Sequence, residues 1–185
     1  MKTLQTARLV LRPWQLSDAA DMFEYARSPK VGPMAGWKPH ENLTETETIL
    51  NRFIREDETW ALVLRSTGAV IGSIGLHPNR QAEISAAREI GYVLAEPYWG
   101  KGLMPEAVRA VIDFAFTELR LDHLLVAHFP FNQQSRRVIE KCGFTWLKHL
   151  QASWQRFDGT SLDEEIYIMA RETFLADRML AENPL

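Results

Sequence analysis

The sequence predicts an α/β fold with a sheet of mixed strand direction, and three features carry that prediction. Residues 59–64 and 69–76 are runs rich in Val, Ile and Leu, joined by Arg65-Ser66-Thr67-Gly68, which is good chemistry for an antiparallel hairpin. Residues 89–95 alternate like a third long strand, and a Gly100-Lys101-Gly102 turn leads from it into an amphipathic segment. The order after that segment is strand, helix, strand, strand, so helices and strands share one layer system rather than separating into blocks.

Taken in order, residues 8–12 alternate as a short strand that Pro13 ends. Ser17-Asp18 offers an N-cap for a helix over 19–27 with Met22, Phe23 and Ala26 on one face. Residues 28–42, with three prolines and two glycines, read as a loop placed where substrate specificity could be set. A second helix over 44–56 spaces Ile49, Leu50, Phe53 and Ile54 helically. The helix over 104–119 repeats Met104, Val108, Val111, Ile112, Ala115 and Leu119 on one face, with Pro105 in its first turn. Residues 123–129 form a strand, 133–141 a helix closed by Gly143, and 144–150 and 165–171 the last strands. No repeat or linker interrupts the pattern, so residues 1–185 are expected to form a single domain.

Composition narrows the function. A net charge of −3 supplies no general basic surface for nucleic acid, although Arg136, Arg137 and Lys141 make a local basic group. The single cysteine, Cys142, permits neither an internal disulfide nor a thiolate zinc cluster, and no His, Cys and carboxylate set has zinc spacing, so no metal is expected. No apolar run is long enough for a membrane helix, and the first residues lack a signal-peptide core. The expectations are a cytoplasmic protein, a monomer or homodimer, with no nucleic-acid or membrane partner.

The turn at Gly100-Lys101-Gly102 has a chemical meaning. Its glycines let the backbone approach a ligand closely, and the first amides of the following helix have no partners within it, so an anion is the natural occupant. The dinucleotide fingerprint GxGxxG does not fit, because Gly102 is followed by Leu103, Met104 and Pro105, and no GxxxxGK[ST] occurs.

Tyr98-Trp99-Gly100-Lys101-Gly102-Leu103-Met104, followed by Glu106-Ala107, resembles the acyl-CoA pyrophosphate loop of the GNAT N-acetyltransferase superfamily. Asn132-Gln133-Gln134-Ser135, with Val138-Ile139-Glu140-Lys141 and Gly143-Phe144 after it, resembles that superfamily's second signature. The opening TARLVLRP, the AEPYWGKG loop and the NxxS motif are most similar to the branch containing the ribosomal-protein alanine N-terminal acetyltransferases. The sequence departs from the general loop at Trp99 and Met104. The resemblance implies a mostly antiparallel central sheet with flanking helices, in which two neighbouring parallel strands, the fourth and fifth predicted, splay apart to admit acetyl-CoA. It implies that the pantetheine arm pairs with backbone around Tyr92, Val93 and Leu94, and that the pyrophosphate rests on the amides of Gly100, Lys101, Gly102, Leu103 and Met104, with Trp99 a further cofactor-binding residue. Asn132 would face the arm from the other side, and Arg137 or Lys141 would meet the ribose phosphate, or each lies on a solvated helix face.

The implied reaction moves an acetyl group from acetyl-CoA to a primary amine by direct attack in a ternary complex. The acceptor is a protein N-terminus or a small molecule; a non-catalytic acyl-CoA-binding or regulatory domain is the alternative. Glu89, at the start of the cleft strand, is the candidate base, with pairing to Arg88 or Arg65 as its bland alternative. Ser135 is the candidate donor to the leaving sulfur, or an N-cap. The glutamate that the ribosomal-protein enzymes carry after the Gly-Phe pair has no counterpart in Gln151-Ala152-Ser153-Trp154-Gln155. His128, on the cleft strand, and Trp37, in the loop before the sheet, are the candidate acceptor-site residues.

Overall fold

The computed structural model describes residues 1–182. In chain order it contains strands β1 (Leu4–Gln5) and β2 (Leu9–Arg12), helices α1 (Ala19–Ala26) and α2 (Leu43–Glu56), and strands β3 (Thr59–Leu64), β4 (Val70–Pro78) and β5 (Ala87–Leu94). Helix α3 (Leu103–Thr117), strand β6 (His123–His128), helix α4 (Gln133–Lys141), strands β7 (Thr145–Gln155) and β8 (Ser161–Ala170), and helix α5 (Arg171–Glu182) complete it. The strands make one sheet in the order β1-β2-β3-β4-β5-β6-β8-β7. Every neighbouring pair is antiparallel except β5–β6.

Two apolar layers sandwich the sheet. On one face α3 buries Leu103, Met104, Ala107, Val108, Val111, Ile112, Ala115 and Phe116 against Ile74, Ile90, Leu124 and Val126. Truncating a fully buried member such as Ile112 to Ala costs about 2–5 kcal/mol, because the transfer loss and the cavity add. On the other face α1 and α2 pack Met22, Tyr25, Ala26 and Leu50 over Ala61, Val63 and Val70. Asn42 starts α2 by accepting from the Glu45 amide at 2.9 Å, as an N-cap should.

The feature that positions the site is the parallel pair. β5 and β6 are in register from Ala87↔His123 to Ile90↔Val126, and there the pairing stops. β4 remains bonded to β5 as far as Leu94, and β8 to β6 as far as His128. Each strand is thus held on its outer side while the inner sides part. Pro130, just beyond β6, has no N–H to continue a ladder, and the Asn132 amide turns back to Phe129 O at 2.8 Å.

The differences from the sequence pattern have local causes. β1 is two residues long, too short for any periodicity to show. α5 lacks a single apolar stripe: Leu175, Met179 and Leu180 are exposed, while Phe174 packs on the core. α3 ends at Thr117, leaving Leu119 outside the helix and half exposed, and β7 runs on to Gln155 as one arm of a long hairpin with β8.

Candidate active site

The turn between β5 and α3 is shaped by two glycines in the left-handed region, Gly100 at φ 73° and Gly102 at φ 74°. Gly102 is the N-cap of α3 and offers no side chain to satisfy the helix start. Among the described residues, the amides of Gly100, Lys101 and Gly102 have no protein acceptor. Those of Leu103 and Met104 stand in the first helical turn, where none exists within the helix. The turn is pinned from outside by Glu106, which accepts from Thr6 Oγ1 at 2.6 Å, the Arg8 amide at 2.8 Å and Arg8 Nε at 2.6 Å, while Arg8 Nη1 donates to Lys101 O at 2.9 Å. Burial pushes the Glu106 carboxyl up, but the hydrogen bonds from Thr6 and Arg8 outweigh it and hold it below the ordinary carboxylate value. A row of unengaged amides at a helix N-terminus is an oxyanion cradle.

Where β5 and β6 part, β5 presents its backbone to the gap. The Ala95 amide donates outward to Ile71 O at 2.8 Å, so by strand alternation the polar groups of Tyr92 and Leu94 face inward. Trp99 Nε1 confirms the direction by donating to Leu94 O at 2.7 Å. This leaves the Leu94 N–H and both polar groups of Tyr92 for a ligand lying in the gap. The gap opens into a cavity of about 520 Å3.

Across the gap, α4 begins at Asn132. Its Oδ1 accepts from the Ser135 amide at 3.0 Å, and its Nδ2 donates to Met34 O at 3.0 Å. Asn132 is therefore the N-cap, and the alternative reading of Ser135 as the cap gives way. Ser135 Oγ lies 2.8 Å from the Tyr92 hydroxyl, whose one proton can serve that Oγ, leaving the serine proton free, or Ser135 O at 3.2 Å. Burial raises the Tyr92 phenol, and the Ser135 hydrogen bond only partly offsets it, so this hydroxyl stays protonated.

The other end of the cavity holds a charge cluster on the α1–α2 face of the sheet. Arg80 binds Glu89 through Nε at 3.0 Å and Nη2 at 2.5 Å, and Glu164 through Nη2 at 2.8 Å and Nη1 at 3.1 Å. It thereby ties β5 to β8 across β6. Ser153 Oγ donates to Glu164 at 2.9 Å, and the Trp154 ring stacks 5.2 Å from the guanidinium. Glu164 is 3% exposed, so its charge is tolerable only because it is paired and hydrogen-bonded. The hydrogen bonds to Glu89 lead the causes that raise the Arg80 guanidinium. A single turn at Gly32–Ala35 roofs this end, latched to Asn132 at Met34 and to Trp154 at Gly36.

The cavity is lined by Glu89, Tyr92, Val93, Leu94, Trp99, Gly100, Gly102, Leu103, Met104, His128, Asn132, Ser135, Arg137 and Lys141, all singled out from the sequence. Two others fall elsewhere. Lys101 does not line it: the ammonium sits 5.5 Å from the Tyr98 ring centroid, and its carbonyl is the one Arg8 holds. Trp37 does not line it either: its ring packs over Gly32, where a Cβ would stand 2.5 Å away, and against His40. Trp154, not Trp37, lines the cavity. The partner of Glu89 is Arg80 rather than Arg88, which binds Glu58, or Arg65, which binds Thr6 O. His128 donates from Nδ1 to Phe129 O at 2.8 Å, since a carbonyl can only accept, and its buried Nε2 has no partner among the described residues. Nothing in the local sequence of Arg80 or Glu164 marks them, and Trp154 is one of six tryptophans that the sequence alone does not rank.

An Acetyltransferase (GNAT) domain family matches residues 8–145. The chain belongs to the GNAT acetyltransferase family. Along its length it is similar to the Uncharacterized N-acetyltransferase p20 of Bacillus licheniformis, 27% identical over 94% of this chain and 99% of that one. Its fold matches the ribosomal-protein-S5-alanine acetyltransferase of Vibrio fischeri at a TM-score of 0.74 and 20% identity, covering 93% and 98% of the two chains. The microcin C7 self-immunity acetyltransferase MccE, solved with acetyl-CoA and AMP, matches at a TM-score of 0.77 and 17% identity, over 89% and 93%. The protein is an acetyl-CoA-dependent N-acetyltransferase, and its cavity supplies what that cofactor needs: amides for a pyrophosphate and an open strand edge for an amide-bearing arm.

Proposed function

We propose that this GNAT enzyme acetylates α-amines, with the N-terminal amine of a peptide as the acceptor class, by direct attack on acetyl-CoA lying between β5 and β6. The observation that carries this reading is the state of Glu89. Both carboxylate oxygens of Glu89 are engaged by Arg80, so the carboxylate that would take the proton of a strongly basic amine is already held in an ion pair. A lysine-like amine of pKa near 10.4 is neutral about once in a few thousand molecules at pH 7, a handicap of about 4.6 kcal/mol, whereas an N-terminal amine near 7.8 loses about 1 kcal/mol. A site built this way serves the second and not the first.

Bound acetyl-CoA supplies a thioester that an amine can cleave. The pyrophosphate rests on the amides of residues 100–104, and the arm extends the sheet beside Tyr92 and Leu94. The Leu94 N–H meets the oxygen on which negative charge develops. Ser135 Oγ, kept in place by the Tyr92 hydroxyl, donates toward the departing sulfur. Glu89 receives the ammonium and passes its proton to solvent. Cys142 is no acyl carrier: burial pushes its thiol up to about 11, and its Sγ sits 3.7 Å from Pro105 O.

The test is free-thiol release from acetyl-CoA with a panel of amines near pH 7. Peptides with free N-termini should turn over at least about a hundredfold faster than N-terminally blocked lysine peptides and spermidine, following the difference in neutral fraction. Equal or faster turnover of the lysine or polyamine acceptors, or cofactor binding with no turnover of any amine, rejects the proposal. A stable acetyl adduct on the chain without an amine present would reject direct transfer.

A further inference from the structure

The carboxylates and the guanidinium at the acceptor end do not cancel. Glu89 and Glu164 bring two negative charges, Arg80 one positive, and all three side chains line the same cavity. Arg80 has five N–H groups, and the contacts to Glu89 and Glu164 use four of them. Trp154 stacks on its ring plane. Unlike an arginine that recognises a ligand carboxylate, this one has no free fork to offer. Glu164 is closed off by burial, 3% exposed and already accepting from Arg80 and Ser153. Glu89 still has lone pairs uncommitted, because a carboxylate accepts at about four sites and Arg80 fills two.

We propose that Glu89, Glu164 and Arg80 together form the ammonium subsite of the acceptor, and that their single net negative charge selects amines with no free carboxylate beside the reacting nitrogen. The inference rests on the α-amine reading above and sharpens it. A peptide N-terminus or an amino-acid amide brings its ammonium to Glu89 and meets no like charge. A free amino acid brings a carboxylate, within a few ångströms of that ammonium, to an end of the cavity where Glu89 and Glu164 leave excess negative charge and the cation between them, Arg80, is occupied, Arg137 and Lys141 lining the cavity from α4. At separations of about 6 Å in a surface-like dielectric, that repulsion is worth about a tenfold to a hundredfold loss in acceptor affinity. Arg80 is a positioning residue here: it holds the carboxylates and sets their net charge without touching the reacting atoms.

The experiment compares L-alanine amide with free L-alanine as acceptors for the full chain at saturating acetyl-CoA, each rate normalised to the neutral fraction of that amine. The wild-type protein should prefer the amide by at least about tenfold, expressed in KM. Glu164→Gln, which neutralises the cluster with a side chain of the same shape, should lower that ratio about tenfold. Arg80→Met, which makes the cluster doubly negative, should raise it. Arg80→Lys keeps the charge and should leave the ratio near wild type while lowering kcat, so a poorly folded Met variant does not decide the matter. Saturation by acetyl-CoA at unchanged concentration verifies each fold. A ratio that does not respond to Glu164→Gln in an enzyme that acetylates both amines overturns the inference and leaves the α-amine reading standing. Transfer by the wild type only to lysine-type or polyamine acceptors overturns both.

Discussion

The two ends of the cavity are made of different material. The end proposed for the cofactor is backbone: open amides at residues 100–104, strand-edge groups at Tyr92 and Leu94, and one cap at Asn132. The end proposed for the acceptor is side chain: Arg80 from a loop, Glu89 from β5, Trp154 and Glu164 from the hairpin of β7 and β8, and a roof from residues 31–36. Backbone recognition suits a cofactor common to a whole family, since its geometry survives most substitutions. Side-chain recognition suits the acceptor, which differs between family members, because a single exchange re-tunes it.

Two glycines allow each end to be broken alone. Gly36 has φ 86°, and a Cβ there would stand 2.5 Å from Trp154 Nε1 and 3.1 Å from the Phe129 ring. Gly36→Ala combines left-handed strain of about 1–2 kcal/mol with a clash against a rigid indole, worth about 1–3 kcal/mol more. The expected result is a fall of roughly a hundredfold in kcat/KM for the amine, as Trp154 leaves Arg80, with acetyl-CoA affinity within about twofold of wild type by calorimetry. Gly102→Ala is the mirror experiment. Its Cβ meets only Arg8 Nη2 at 3.6 Å, so backbone strain acts alone. Acetyl-CoA Kd should rise about five- to thirtyfold with the amine KM unchanged. Loss of both affinities in either variant would show that the two ends are not separate devices.

The same contrast explains what the sequence disclosed. The cofactor end is contiguous: residues 89–107 carry a strand, a turn and a helix start in one run, and Asn132 to Ser135 carry the facing cap. The succession of strands and helices is legible because apolar periodicity marks it, and the parted parallel pair follows from the resemblance to the GNAT superfamily, with Pro130 standing where β6 ends. The acceptor end is assembled from residues more than eighty positions apart, as in Arg80 with Glu164, and no local pattern registers such a pair. Trp37 drew attention for lying in a loop before the sheet. Yet a tryptophan beside a glycine can fold onto its own turn, and Trp37 does so over Gly32. Trp154 lay at the end of a run read as finished at residue 150.

Glu106, which pins the β5–α3 turn from outside the cavity, acts on stability. Its folded carboxyl lies below the ordinary value of 4.5, so its contribution is complete above that value and disappears as pH falls through the depressed one. Glu106→Gln should lose about 1–3 kcal/mol at pH 7 by leaving Arg8 without its anion. Its thermal midpoint should then approach that of wild type below about pH 4. A constant offset from pH 7 to pH 3 would mean that packing, not charge, is what Glu106 contributes.

The smallest effect is expected at Ser135, where the two ends meet. Ser135→Ala removes the hydroxyl facing Tyr92, yet the Tyr92 hydroxyl retains Ser135 O as an acceptor at 3.2 Å, and Asn132 still caps α4 through the residue 135 amide. The fold should therefore be unaffected. A thiol of pKa near 8.5 leaves readily without help, so the chemical step should slow by only about three- to tenfold. That slowing should appear in kcat and not in the KM of either substrate, and Tyr92→Phe in the same background should add little, because the phenol acts through the serine. A drop beyond a hundredfold would mean that Ser135 meets the developing oxyanion rather than the sulfur, moving the thioester carbonyl away from Leu94 and toward α4.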